Sequence, residues 1–118
     1  MKVRFVSSLV FMFWTGAALA AGPAVTPDLI AKGKESYTTN CLLCHGEAGD
    51  GNGPAGSAMN PKPRDFVKDK FKKGDKPDAV FKVVSDGLKD TSMTGYAHLP
   101  VEERWAVTHY LLTFRAKK

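Results

Sequence analysis

The chain has 118 residues, 43% of them hydrophobic and 25% charged, with 17 basic against 12 acidic side chains and a formal net charge of +5. That length allows one small domain with a thin core. So mild a basic excess is not the strongly basic stripe that marks a nucleic-acid binder, and no internal repeat or low-complexity tract is visible.

In chain order, the first element is a leader. Lys2 and Arg4 precede a mostly apolar run from Phe5 to Leu19, and Ala18-Leu19-Ala20 supplies small residues where a signal peptidase reads. The pattern predicts a signal peptide over 1–20, cleaved after Ala20, and a mature domain over 21–118 in the periplasm. A retained anchor is the weaker reading: the run is shorter than the roughly 20 residues that span a bilayer and contains Ser7 and Ser8. No later apolar run follows, so no membrane span is expected after cleavage. Losing Lys2 and Arg4 leaves 15 bases against 12 acids, a mature charge of +3.

Thr26-Pro27 is a cap and first-turn pair, and Leu29, Ile30, Gly33, Tyr37 and Cys41 then recur at three- and four-residue steps, which predicts an N-terminal helix. Its end carries CLLCH, Cys41 to His45. From Gly46 to Asp75 six glycines and three prolines, Pro54, Pro61 and Pro63, predict a long loop. A loop of that length in so small a domain is expected to wrap something. Pro77 at a helix start, Val80, Val83 and Val84 on one face, and Gly87 just beyond predict a short middle helix. A glycine-flanked extended segment, DGLKDTSMTGY, follows. The last helix is predicted from about Val101 to Phe114, with Trp105, Val107, Tyr110, Leu111 and Phe114 inward and Arg115, Lys117 and Lys118 at its negative end.

Three chemistries compete for two thiols and an imidazole within five residues. A thiol redox pair belongs at the start of a helix in a βαβ pattern, and here the motif closes a helix in a chain without a convincing strand. A zinc site needs four ligands as a rule, and only His98 and His109 remain to complete one. C-x-x-C-H is the attachment pattern of c-type haem, in which the thiols add across two vinyl groups and the imidazole becomes the proximal iron ligand. The export leader and the wrapping loop agree with haem.

From Gly33 to Tyr110 the chain resembles a class I monohaem cytochrome c, in Gly33 and Tyr37, in CLLCH, in Gly53-Pro54, in PKPRDF at 61–66, in Met93 and in ERWAVTHYL. The resemblance implies an all-α fold with three main helices and long loops around one haem c bound through Cys41 and Cys44. It further implies terminal helices crossing where Gly33 allows close approach, with Tyr37 and Tyr110 packed together. His45 would be one iron ligand. For the other, Met59, Met93, His98 and His109 are candidates; Met59 would have to double back around the ring edge and His109 is expected to face solvent. Met93 corresponds to the family's axial methionine and is the expected ligand, although Thr94 stands where many relatives have a stiffening proline. The carbonyl of Pro54 or its neighbourhood is a candidate acceptor for the His45 Nδ1 proton, and Arg64 a candidate partner for a haem propionate.

His-Met ligation saturates the iron and gives a comparatively high potential. The expected function is therefore electron transfer in the periplasm, as a soluble carrier or the small cytochrome subunit of an oxidoreductase, with no catalytic residue of its own. The alternative is a haem enzyme or gas sensor with an open sixth position. A redox protein partner is expected, docking on the basic segment Lys62 to Lys76, where seven bases face three acids.

Overall fold

Helix formation begins at Thr26, whose side-chain oxygen accepts the Leu29 N–H at 3.1 Å and so satisfies one of the free donors of the first turn. This is a computed structural model and it describes residues 22–117; the expected leader and its cleavage point lie outside them. Helix α1 (Pro27–Asn40) buries Leu29, Gly33, Ser36 and Tyr37 along one side. The backbone breaks at Cys41 (φ −121°, ψ −30°), and the attachment motif forms a separate short turn, α2 (Leu42–His45).

The loop after Gly46 has one regular piece, a 3-10 turn at Gly56–Ala58. It is held by backbone bonds back to the motif, Gly51 N–H to His45 O at 2.9 Å and Ala55 N–H to Leu43 O at 2.9 Å, and farther on by Phe66 N–H to Gly49 O at 2.7 Å. Arg115 closes it from the other end of the chain. Its guanidinium donates to Phe66 O at 3.2 Å and lies 4.9 Å from the centre of the Phe71 ring. Helix α3 (Pro77–Asp86) has the expected limits and buries Val80 and Val84. Helix α4 (Val101–Leu112) stops two residues before the expected end, because Thr113–Lys117 tightens into a 3-10 turn.

The core joins Tyr37, Phe66, Val80, Val84, Val107, Leu111 and Phe114. Among the described residues there is no strand, only an isolated antiparallel bridge between Gly87 and Thr94. The fold is all-α, three main helices and long loops, as expected.

Helix α4 packs against α1 and also against α3, so more of its circumference is covered than a single inward stripe allows. Val107, Leu111 and Phe114 are buried as expected, but Trp105 and Tyr110 are only half-buried, while Ala106, Thr108 and His109 are buried too. The expectation that His109 faces solvent is therefore corrected. Its ring lies 5.9 Å from Trp105, which in turn stacks on Phe81 of α3 at 4.1 Å. Burial lowers the proton affinity of His109, whose Nε2 has no hydrogen-bond partner.

Where α1 crosses α4, Tyr37 and Tyr110 meet with ring centres 5.2 Å apart and planes tilted by 59°. The crossing depends on Gly33. A Cβ there would run into the backbone of Ala106, which no rotamer change can relieve. Gly33→Ala is expected to cost about 1–3 kcal/mol by overpacking, seen as a lower urea midpoint at unchanged slope. A midpoint equal to that of the unaltered protein would refute the close crossing.

Candidate functional site

The Cys41 thiol between α1 and α2, the Cys44 thiol and His45 imidazole of α2, and a thioether from the segment after α3 border one cavity of about 330 Å³. Its remaining walls are largely apolar, with Phe66 and Phe71 from the loop, Val80, Val83 and Val84 from α3, and Leu111 from α4. Of the expected site residues, Cys41, Cys44, His45, Arg64 and Met93 border it. Pro54 does not. It is exposed, on a stretch that Gly53 N–H to Cys44 O (3.2 Å) and Ala55 N–H to Leu43 O (2.9 Å) hold against the outside of the motif.

The acceptor expected at Pro54 is instead the carbonyl of Arg64, which His45 Nδ1 faces at 3.4 Å. A carbonyl only accepts, so the contact assigns the proton to Nδ1 and leaves the Nε2 lone pair for a metal. Burial lowers the proton affinity of His45, and the Arg64 contact opposes this only in part. The neutral ring is the form that ligates iron. Phe66 lies over the imidazole at 4.4 Å with planes 18° apart and fixes its orientation by packing. Nothing in the spacing of PKPRDF marks Phe66 for that contact, although an aromatic in a glycine- and proline-rich loop is a candidate for burial. The Arg64 side chain lies 3.7 Å from the Asp69 carboxylate.

The structure speaks against two of the three chemistries. Burial, and then the neighbouring Cys44, push the Cys41 thiol up to about 12, so it offers no thiolate nucleophile at neutral pH. Among the described residues no three His, Cys, Asp or Glu side chains gather as a metal site, which leaves zinc without a ligand set. An apolar cavity bordered by paired thiols, a neutral imidazole and a methionine fits an iron porphyrin. Of the other sixth-ligand candidates, Met59 borders the cavity, whereas His98, which is exposed, and the buried His109 do not.

Met93 follows a turn at Lys89–Asp90, and its neighbour Thr94 pairs with Gly87 in an isolated antiparallel bridge. The Met93 carbonyl accepts the Leu88 N–H at 3.0 Å, and its own N–H donates to Thr91 Oγ1 at 3.1 Å. Thr91 Oγ1 in turn donates to Leu88 O at 2.8 Å. Gly87 makes the turn possible, with a left-handed φ of +75° and no Cβ to strike Met93 O.

A protein-family model described as cytochrome c matches residues 30–115. The chain belongs to the cytochrome c family. As a cytochrome c it binds haem c covalently, with Cys41 and Cys44 as the attachment thiols of its C-x-x-C-H motif, and it is an electron-transfer haem protein. A solved structure similar to this cytochrome is a chain of the Kuenenia stuttgartiensis reducing HAO-like protein complex Kustc0457/Kustc0458. It is 34% identical, with a TM-score of 0.71 over 81% of this chain and 49% of that one. The cytochrome thus spans about half the length of the solved chain it matches. Among curated proteins none matches it.

Proposed function

We propose that the protein transfers single electrons in the periplasm through a haem iron held by His45 and Met93, as a soluble carrier or as the small cytochrome subunit of an oxidoreductase. The observation that carries this reading is that Met93 borders the same cavity as His45 and both thiols. Bound haem supplies the redox centre. The chain holds the ring by two thiols, presents a neutral imidazole and a thioether, and surrounds them with apolar walls that limit water. A saturated iron takes no substrate, which is what a carrier requires. The similarity to a chain of a redox-named complex supports the subunit form. Periplasmic location rests on the leader, and no helix among the described residues is long and apolar enough to cross a membrane.

Spectroscopy tests the ligand set. The ferric protein is expected to show the weak near-infrared sulfur-to-iron band, and the ferrous protein to refuse carbon monoxide. Ready carbon monoxide binding without that band would replace the carrier by a haem enzyme or sensor with an open sixth position.

The partner surface of this reading is the basic segment 62–76. Lys62, Lys72 and Lys73 border the haem cavity, while the acids Asp69 and Asp75 are occupied by Arg64 at 3.7 Å and Arg115 at 3.9 Å. The exposed lysines are thus left to face a partner. Such a patch raises encounter rates with an acidic protein, an effect screened as the Debye length shortens to about 8 Å at physiological salt. Charge reversal at Lys70, Lys72 and Lys73 is expected to slow the bimolecular electron-transfer rate at low salt by tenfold or more and to flatten its salt dependence. Unaltered rates in stopped-flow oxidation by the native partner would leave these lysines as mere surface.

A further inference from the structure

The segment bearing Met93 is clamped from two sides by one residue. Tyr96, three positions after the methionine, donates its backbone N–H to Val84 O of α3 at 2.9 Å. Its hydroxyl donates to Asn40 O at 2.8 Å, across 56 positions of sequence. Asn40 ends α1 and adjoins Cys41; carbonyls in the last turn of a helix lack an intrahelical partner and are open to such a donor. Tyr96 also borders the cavity. A single side chain therefore ties the sixth-ligand segment to the residue next to the first thioether position.

We propose that Tyr96 is a positioning residue for the iron's sixth ligand, its hydroxyl bond to Asn40 O holding Met93 over the haem where Thr94 supplies no proline stiffness. The proposal rests on Met93 being that ligand. A neutral thioether is a weak donor, so its occupancy of the iron depends on how much freedom the segment gains by letting go. Ordering a residue's backbone costs conformational entropy. The bridge at Gly87–Thr94 and the turn bonds around Thr91 restrain the segment along α3. Among the hydrogen bonds of this segment in the described residues, only the Tyr96 hydroxyl reaches across to α1, so it is the directional tie between the sulfur-bearing segment and the attachment turn. Tyr37 offers a matched control: its buried hydroxyl donates to Gly46 O at 2.7 Å, a bond of the same kind that does not touch the Met93 segment.

The test is an imidazole titration of the ferric holoprotein, since imidazole competes with the methionine for iron. Tyr96→Phe removes one oxygen and is expected to bind imidazole about fivefold more tightly, in line with the net contribution of one hydrogen bond. Tyr37→Phe, though less resistant to urea, is expected to keep the affinity of the unaltered protein. Unchanged imidazole affinity in Tyr96→Phe, or an equal rise in both variants, would overturn the positioning role while leaving the ligand intact. Failure of the ligand reading itself looks different: the unaltered protein would lack the near-infrared band, and Met93→Ala would bind imidazole no more tightly than it does.

Discussion

With Cys41 and Cys44 both replaced by alanine, no haem is expected to remain on the chain after acidified acetone extraction, and the polypeptide that survives is expected to lose its fold. The unaltered mature protein, made with its attachment machinery, should instead exceed its chain mass by one haem and keep that haem through extraction. The thiols are the only covalent link available, because both vinyl additions need a cysteine and the chain has two. Loss of the fold follows from size. The haem cavity is bordered by core side chains, Phe66, Val80, Val84 and Leu111, which would face water if nothing occupied it. Small domains have only about 5–15 kcal/mol to lose. A single small domain such as that of residues 22–117 lies at the low end of that range, so the ring is part of the core and not a passenger in it. Circular dichroism and limited proteolysis of the double variant read this directly. A helical, protease-resistant apoprotein would overturn the structural role, and extractable haem in the unaltered protein would overturn covalent attachment.

What could be read before the fold was seen depended on whether the determining contact was local. Thr26-Pro27 and Pro77 set helix starts through the geometry of one turn, and Gly87 ended α3 through its own φ; all three appear where expected. CLLCH is local as well, five residues whose spacing alone implies haem attachment. The length of the wrapping loop was legible from its glycines and prolines, yet its path was not. Which carbonyl meets His45 Nδ1 is decided by how residues 61–66 return beneath the imidazole, and Arg64 O wins over Pro54 because Phe66 stacks on that ring. His109 shows the same limit on a helix. Periodicity assigns one inward stripe, but α4 is covered by both α1 and α3, so a position read as outward is buried against Trp105. The bond from Tyr96 to Asn40 joins residues far apart in sequence, and no spacing rule signals it.

The second large effect is expected at Met93. Met93→Ala should abolish the near-infrared band, let the ferrous iron bind carbon monoxide, and lower the reduction potential by on the order of a few tenths of a volt, since axial ligands set haem potentials across about 0.8 V. The direction follows from the sulfur: methionine opposite histidine raises the potential relative to nitrogen or water in that position. Met59 makes the comparison sharp, because it borders the same cavity. It lies 14 residues after His45 in the loop, with its N–H bonded to Gly56 O at 3.1 Å, and a loop methionine there serves as flexible packing against the ring. Met59→Ala should thus leave the band, the potential and the refusal of carbon monoxide close to those of the unaltered protein, with a stability loss of no more than about 2 kcal/mol for a half-buried side chain. Met93 and Met59 differ in what holds them. The Met93 backbone is bonded on both sides, to Leu88 and to Thr91, and its segment is clamped by Tyr96 to α3 and α1, whereas the Met59 backbone is tied only to its own 3-10 turn. A weak ligand needs the better-held backbone. Spectra and potentials that change with Met59 and not with Met93 would reverse the assignment and move the sixth ligand into the wrapping loop.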